Sequence, residues 1–276
     1  MLAGGAAAGV FGSLLGLGGG VLLVPLLTLG FGMPLREAVG VSLISVIVTS
    51  SAAAGVYLER HVANLRLGMT LELFTAIGAL VGGSVAFLLD ERLLSLLFGA
   101  LLLYVAVTMA RATLRPSPEA TTDTAAPDRH PEHDLDPAAP DDLTTLERLS
   151  GPGYRVRNLG LGVVGATGAG VISALLGIGG GIVKVPLMHL AMGVPFRVAT
   201  ATSNMMIGIT AAASAVIYLI RGGIDPYVAG PTAIGVFLGA TAGSRLSHRV
   251  DLRILRVLFV VILVYLALQM LSRAFG

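Results

Sequence analysis

A chain of 276 residues that is 55% hydrophobic and only 12% charged, with 37 glycines and a mean hydropathy of +0.86, lies outside the soluble globular range, where about a quarter of residues are charged. Its net charge of +2 comes with no basic cluster, which excludes a nucleic-acid partner. The absence of cysteine excludes disulfides and a thiolate metal site. A soluble helical core would need polar outer faces that these stretches lack, so composition predicts an all-α polytopic membrane protein whose main partner is the lipid bilayer.

The first predicted element is a Gly-broken apolar segment, Leu2 to Gly32. Its opening run, Leu2 to Leu15, lacks the basic n-region of a signal peptide. A run of the same kind recurs deep inside the chain at Val163 to Leu176, so the first run is read as part of the fold. Helices follow at Arg36 to Leu58, Leu67 to Leu89 and Arg92 to Arg111, each near the ~20 residues that cross a hydrocarbon core. Pro116 to Pro140, rich in Asp, Glu, Thr and Ala, has the composition of a disordered linker. His130 and His133 lie there without a scaffold to fix ligand geometry, so neither a metal nor another cofactor is expected. Leu143 to Leu149 reads as a short surface helix ahead of the turn signal Gly151-Pro152-Gly153. A second broken segment, Gly162 to Gly193, precedes helices at Arg197 to Ile220, Pro226 to Ser244 and Arg253 to Ser272.

The two series are one unit written twice. Gly16-Leu17-Gly18-Gly19-Gly20 through Pro25-Leu26 returns as Gly177-Ile178-Gly179-Gly180-Gly181 through Pro186-Leu187, an offset of 161 residues (177 − 16). That offset holds through Pro34/Pro195, Arg36/Arg197, Ser42/Ser203, Thr49/Thr210, Tyr57/Tyr218, Gly78/Gly239 and Phe98/Phe259. The expected organisation is a membrane repeat at 1–111, a polar cytoplasmic linker at 112–157 and a second membrane repeat at 158–276. Each repeat holds a Gly/Pro-broken segment and three transmembrane helices.

Arginine placement tests how the repeats face, because cytoplasmic loops gather Lys and Arg. Arg111, Arg115, Arg155 and Arg157 flank the linker, which argues that it is cytoplasmic. If each broken segment crosses the membrane, Arg36, Arg92, Arg197, Arg245, Arg249 and Arg253 fall outside, the wrong bias. If each turns back, the halves invert. Arg60, Arg66, Arg197, Arg245, Arg249 and Arg253 are then inside, and only Arg36, Arg92, Arg221 and Arg273 are outside. An inverted pair is therefore expected.

Glycine runs within an apolar segment cost ~1 kcal/mol per residue relative to alanine in a helix, and Pro25 and Pro186 each remove an amide donor. Irregular backbone at membrane depth is tolerated where it is buried in protein or lines a wet cavity. Matching breaks in two halves are the sequence pointer to a transporter's binding site. Gly18, Gly19, Gly20, Pro25, Gly179, Gly180, Gly181 and Pro186 are thus candidates for an anion path, with close packing through small residues as the alternative. Lys184, the only lysine, sits three residues after Gly181, and its repeat partner is Leu23. It either complements an anion at depth or snorkels to the interface. His189 is a weaker candidate for proton coupling, with its side chain near the surface. Ser42, Ser45 and Thr49 share a helix face, repeated as Ser203 and Thr210 with Asn204 beside them. They hydrogen-bond either an oxyanion or their own helices. Glu72, the one carboxylate within a predicted span, either carries a coupled proton or, being close to Arg66, lies at the interface, which is the preferred reading.

The Gly-x-Gly-Gly-Gly-x-x-x-x-Pro-Leu tract opening each half, followed by Pro34-x-Arg36 and Pro195-x-Arg197, resembles the sulfite exporter TauE/SafE family, also called the toluene sulfonate uptake permease family. The likeness covers both halves and not the linker. It implies a prokaryotic inner-membrane protein that moves sulfite, sulfonates or related sulfur-containing anions; export as the direction and a coupling proton or cation as a further partner are expectations added to it. Three functional classes stand beside one another: secondary transport of that or another small anion or metabolite, an intramembrane hydrolase and a membrane sensor subunit. Ser84 and the Ser247-His248 pair are raw material for a hydrolase, but no nucleophile motif with a base is recognisable, so the protein is not expected to be an enzyme. No Walker A tract is present, so any transport is expected to run on an ion gradient.

Overall fold

The computed structural model describes residues 1–15, 19–59, 63–114, 149–151, 154–246 and 252–275. Most of the expected linker, with His130 and His133, lies outside the described residues. So do Gly18, Ser247 and His248. The described residues are helical throughout apart from short turns and one isolated bridge between Gly151 and Tyr154. In chain order the helices are α1 (Leu2–Leu15), α2 (Gly20–Pro25), α3 (Leu35–Glu59), α4 (Leu65–Ala86), α5 (Glu91–Leu114), α6 (Leu159–Leu176), α7 (Gly181–Pro186), α8 (Phe196–Ile220), α9 (Pro226–Leu246) and α10 (Leu252–Phe275). Among the described residues five helical stretches, in α4, α5, α6, α8 and α10, are long and apolar enough to cross a membrane.

Each broken segment is a helical hairpin. α2 runs into a wider π-helical turn at Leu26–Gly30, and α7 into one at Leu187–Ala191. The cause is a proline without an amide hydrogen, Pro25 in one arm and Pro186 in the other, which interrupts the regular ladder. Both arms close with the same bond, Met33 N–H to Leu27 O at 3.1 Å and Val194 N–H to Met188 O at 3.0 Å. The chain then returns to the level at which it began. Gly4 near the start of α1 lies against Leu26 and Phe31, while Gly162 near the start of α6 lies against Met192. Arg157 N–H donates to Met192 O at 3.0 Å. Each broken segment doubles back on itself.

Helix packing pairs the first half with the second. α1 lies on α9, α6 on α4, α3 on α8 and α5 on α10. The seams are made by glycines that admit backbone contact. A methyl on Gly78 would fall 2.1 Å from Thr167 O, and one on Gly239 would fall 2.0 Å from Ala6 O. Gly170 meets Thr75 O at 2.0 Å in the same sense, and Gly9 meets Val236 O at 2.3 Å. In each couple both partners differ by the offset of the sequence repeat, so the two seams share one register. Gly40, early in α3, lies against Gly223 just past the end of α8, and Ser50, further along α3, lies against Gly208 in the middle of α8, so these two helices run in opposite directions.

Two ends of the bundle are distinguishable by their polar contacts. At one, Arg36 donates to Leu89 O, Arg273 Nη1 donates to Thr28 O at 3.2 Å, and the Arg221 guanidinium lies 5.9 Å above the Phe87 ring. Here the first hairpin opens. At the other, Asn64 caps α4 by accepting from Leu67 N–H at 3.0 Å, and its amide donates to Leu149 O at 2.9 Å and to Tyr154 Oη at 2.7 Å. Half-burial pushes the Tyr154 phenol above its ordinary pKa, against the opposing pull of the Asn64 bond. Asn64 N–H also donates to Thr202 Oγ1 at 2.9 Å, and the second hairpin opens beside them.

Candidate functional site

The tips of the two hairpins touch. α6 ends at Gly177 (φ +69), Gly179 and Gly180 follow at φ +82 and +75, and α7 restarts at Gly181. Side chains rarely adopt that left-handed region, so the second break needs its glycines. A methyl on Gly20 would lie 2.7 Å from Gly177 O. Ser42 of α3 joins the tips with its hydroxyl, 2.7 Å from Gly177 O and 3.4 Å from Gly20 O. Gly19 and Gly20 are buried, as are Gly179 and Gly180. The described glycines of the two tracts are therefore packed against each other and against α3 and α8, where Gly179 and Gly181 abut Ile207.

One turn into α7, Lys184 is 1% exposed. Its ammonium donates to Glu72 Oε2 of α4 at 3.0 Å and to Thr210 Oγ1 of α8 at 2.5 Å, and the Thr210 hydroxyl donates to Glu72 Oε1 at 2.7 Å. Three elements thus close a triangle of one cation, one carboxylate and one hydroxyl. Lys184 does not snorkel. Glu72, read from sequence as interfacial, is instead 4% exposed and paired in the interior. Its helix turns it away from Arg66, which is exposed near the start of α4. Charges so placed are costly unless paired, and here each is the other's counter-ion. The signal that finds them is their breach of the repeat: Lys184 corresponds to Leu23 and Glu72 to Ala233, one unmatched cation and one unmatched anion.

The hydroxyl series divides. Ser45 donates to Val41 O at 3.2 Å, and Thr49 to Ser45 O and Val46 O at 3.1 Å, so both serve their own helix. Asn204 is partly buried, and its backbone carbonyl oxygen accepts from the Ser50 hydroxyl at 3.1 Å. Ser203 and Ser173 are fully buried with hydroxyls that have no partner. Both flank the break. A methyl on Gly181 would lie 3.6 Å from Ser203 Oγ, and one on Gly180 would lie 3.3 Å from Ser173 Cβ and 3.5 Å from Lys184 Cε. Ser173 was not singled out from sequence, because its counterpart is Gly12 and no motif contains it. Pro25 is buried and Pro186 half-buried, each shaping the returning arm of its hairpin. His189 is half-buried at the mouth of the second hairpin, with Nδ1 3.0 Å from Val194 O. Ser84 donates to Leu80 O of its own helix at 2.9 Å, which leaves it no base. Among the described residues no group of three or more His, Cys, Asp or Glu could hold a metal ion.

Known proteins resemble the chain over almost its whole length. It is 24% identical over 273 residues to the "Probable membrane transporter protein YunE" of Bacillus subtilis, covering 96% of this chain and 93% of that one. It is 27% identical over 278 residues to the "Probable membrane transporter protein MJ0441" of Methanocaldococcus jannaschii, covering 95% and 91%. No solved structure gives a significant match. The family model described as sulfite exporter TauE/SafE matches residues 1–270. With paired broken hairpins, several apolar spans and that match from end to end, the chain belongs to the sulfite exporter TauE/SafE family.

Proposed function

We propose that the protein is a secondary transporter of small sulfur-containing anions, sulfite or sulfonates, that works by alternating access in the inner membrane, with export as its direction. The observation that carries this reading is the Lys184–Thr210–Glu72 triangle, buried beside a broken hairpin and built from both halves of the chain. Ionisable groups at such depth serve substrate or ion pathways, and broken segments in matching positions surround such pathways. The relatives' names support membrane transport, and the family description supports sulfite.

In this reading, 1–111 and 158–276 are repeats of inverted topology joined by a cytoplasmic linker at 112–157. Support comes from hairpins that double back, from the shared register of the two seams and from the opposed directions of α3 and α8. A two-fold axis relating antiparallel partners lies across them, in the membrane plane. The anion contacts are assigned to Lys184, Thr210 and Ser203, with the tips at Gly19 and Gly20 and at Gly179 to Gly181 forming the moving contact. Asn204 and Thr49 contribute less. Labelled sulfite, methanesulfonate and unrelated organic anions presented to proteoliposomes test the reading. Lys184→Leu is expected to lower sulfur-anion flux ~10- to 100-fold, matching the about 1.5–3 kcal/mol that a hydrogen bond to a charged group contributes. Wild-type vesicles that move none of the sulfur anions faster than protein-free vesicles would end it.

A further inference from the structure

We infer that Glu72 is the proton carrier and Lys184 the anion contact of one electroneutral cycle, in which a monovalent oxyanion moves together with one proton. The inference rests on the transport reading above and deepens it by naming the coupling ion and the charge of the substrate. Its basis is geometric. Lys184 has its ammonium committed to Glu72 Oε2 and Thr210 Oγ1, so while Glu72 is ionised the cation is not free to meet an anion. The site is neutral in that state. When a proton from the aqueous phase adds to a Glu72 oxygen, the carboxylate becomes a neutral acid and the ammonium loses its counter-ion. A monoanion then restores neutrality, with Lys184 donating to it and the unpartnered Ser203 and Ser173 hydroxyls within the same neighbourhood.

The half-loaded states are the ones physics disfavours. A protonated Glu72 without an anion leaves an unpaired ammonium, and an anion without the proton leaves a net negative charge. Either leaves a buried charge uncompensated, which lowers its population ~100-fold or more. Coupling follows from that penalty without any further device. A dianion such as sulfate, carried with one proton, leaves the same uncompensated charge, so sulfonates and hydrogensulfite are favoured over sulfate. The direction of net flux follows the product of proton and anion concentrations on the two sides, so export runs when that product is larger inside.

Other groups do not compete for this role. α4 packs against α6 and α8, and α7 against the same two helices. α6 carries no ionisable side chain. On α8 the ionisable groups are Arg197, exposed at its start, and Tyr218, whose hydroxyl donates to Ala174 O at 3.0 Å. On α4 the other is the exposed Arg66, and His189, beyond α7, faces Val194 O.

Methanesulfonate is the probe that decides, because it stays a monoanion across the working pH range and any acid dependence of its flux belongs to the protein. In proteoliposomes of the full chain the expected result is net flux accelerated by acid, one proton per anion by an internal pH dye, and no response to a potassium–valinomycin potential. Sulfate is expected to move at least ~10-fold more slowly. Glu72→Gln should show methanesulfonate exchange that no longer varies with pH, together with a net flux reduced ~10-fold or more. Should Glu72→Gln be silent in both modes, a thermal shift with methanesulfonate that is independent of pH supports the inference, and its absence overturns it. Net flux that follows the potential, or that carries no protons, also overturns it while leaving the transport reading in place. The same holds if sulfite moves and methanesulfonate does not. Wild-type vesicles inert to all of these anions would instead sink the transport reading.

Discussion

At the scale of single residues, the feature with the largest energetic consequence is a cation and a carboxylate enclosed together. Removing one partner of a buried pair costs about 3–5 kcal/mol, whereas replacing both by apolar groups is often close to neutral. Lys184→Met and Glu72→Leu alone are therefore each expected to lower the stability of the purified protein by about that amount, and the double variant by much less. Thermal unfolding in detergent, read as loss of the monodisperse species, checks this; equal losses for the single and double variants would contradict it. Much of this site was legible in the sequence as a parts list. Lys184, Thr210, Ser203 and the glycines were all marked by depth, spacing or repetition. Their juxtaposition was not, because Glu72 and Lys184 are separated by 112 residues and short-range spacing says nothing about which spans touch. Proximity to Arg66 in sequence suggested an interfacial Glu72, but residues six apart on a helix lie on different faces.

Among the helices, the seams depend on backbone approaching backbone, which makes small residues irreplaceable at particular positions only. Gly78→Ala and Gly239→Ala each place a methyl about 2 Å from a facing carbonyl oxygen and are expected to cost about 1–3 kcal/mol by overpacking. Gly168 of α6 faces open space, so Gly168→Ala is expected to be neutral or to stabilise by ~1 kcal/mol through helix propensity. Measured melting shifts that rank Gly168→Ala with the other two would contradict this assignment. Helix existence and extent were readable from apolar runs; Arg36 to Leu58 anticipates α3, and Arg197 to Ile220 anticipates α8, each to within a residue or two. Whether the broken segments cross or return was not readable from hydropathy, which is blind to direction. Only the distribution of arginines pointed to the returning path that the contacts at Gly4 and Gly162 display.

For the molecule as a whole, the proposed topology puts the end bearing Arg66, Arg157 and Arg197 on the cytoplasmic side and the end bearing Arg36, Arg92 and Arg221 on the opposite side. A chain without cysteine allows single reporters to be introduced directly. Arg92→Cys and Arg221→Cys are expected to react with an impermeant maleimide on intact cells, and Arg66→Cys and Arg197→Cys only after permeabilisation; the reverse pattern would invert the assignment. The interleaving of the halves also governs biogenesis. When the first half leaves the ribosome, the glycine-lined sides of α1 and α4 have no mate, because α9 and α6 have not yet been made. These two seams must wait until α6 and α9 emerge, and until then the small-residue grooves of α1 and α4 are open to wrong partners.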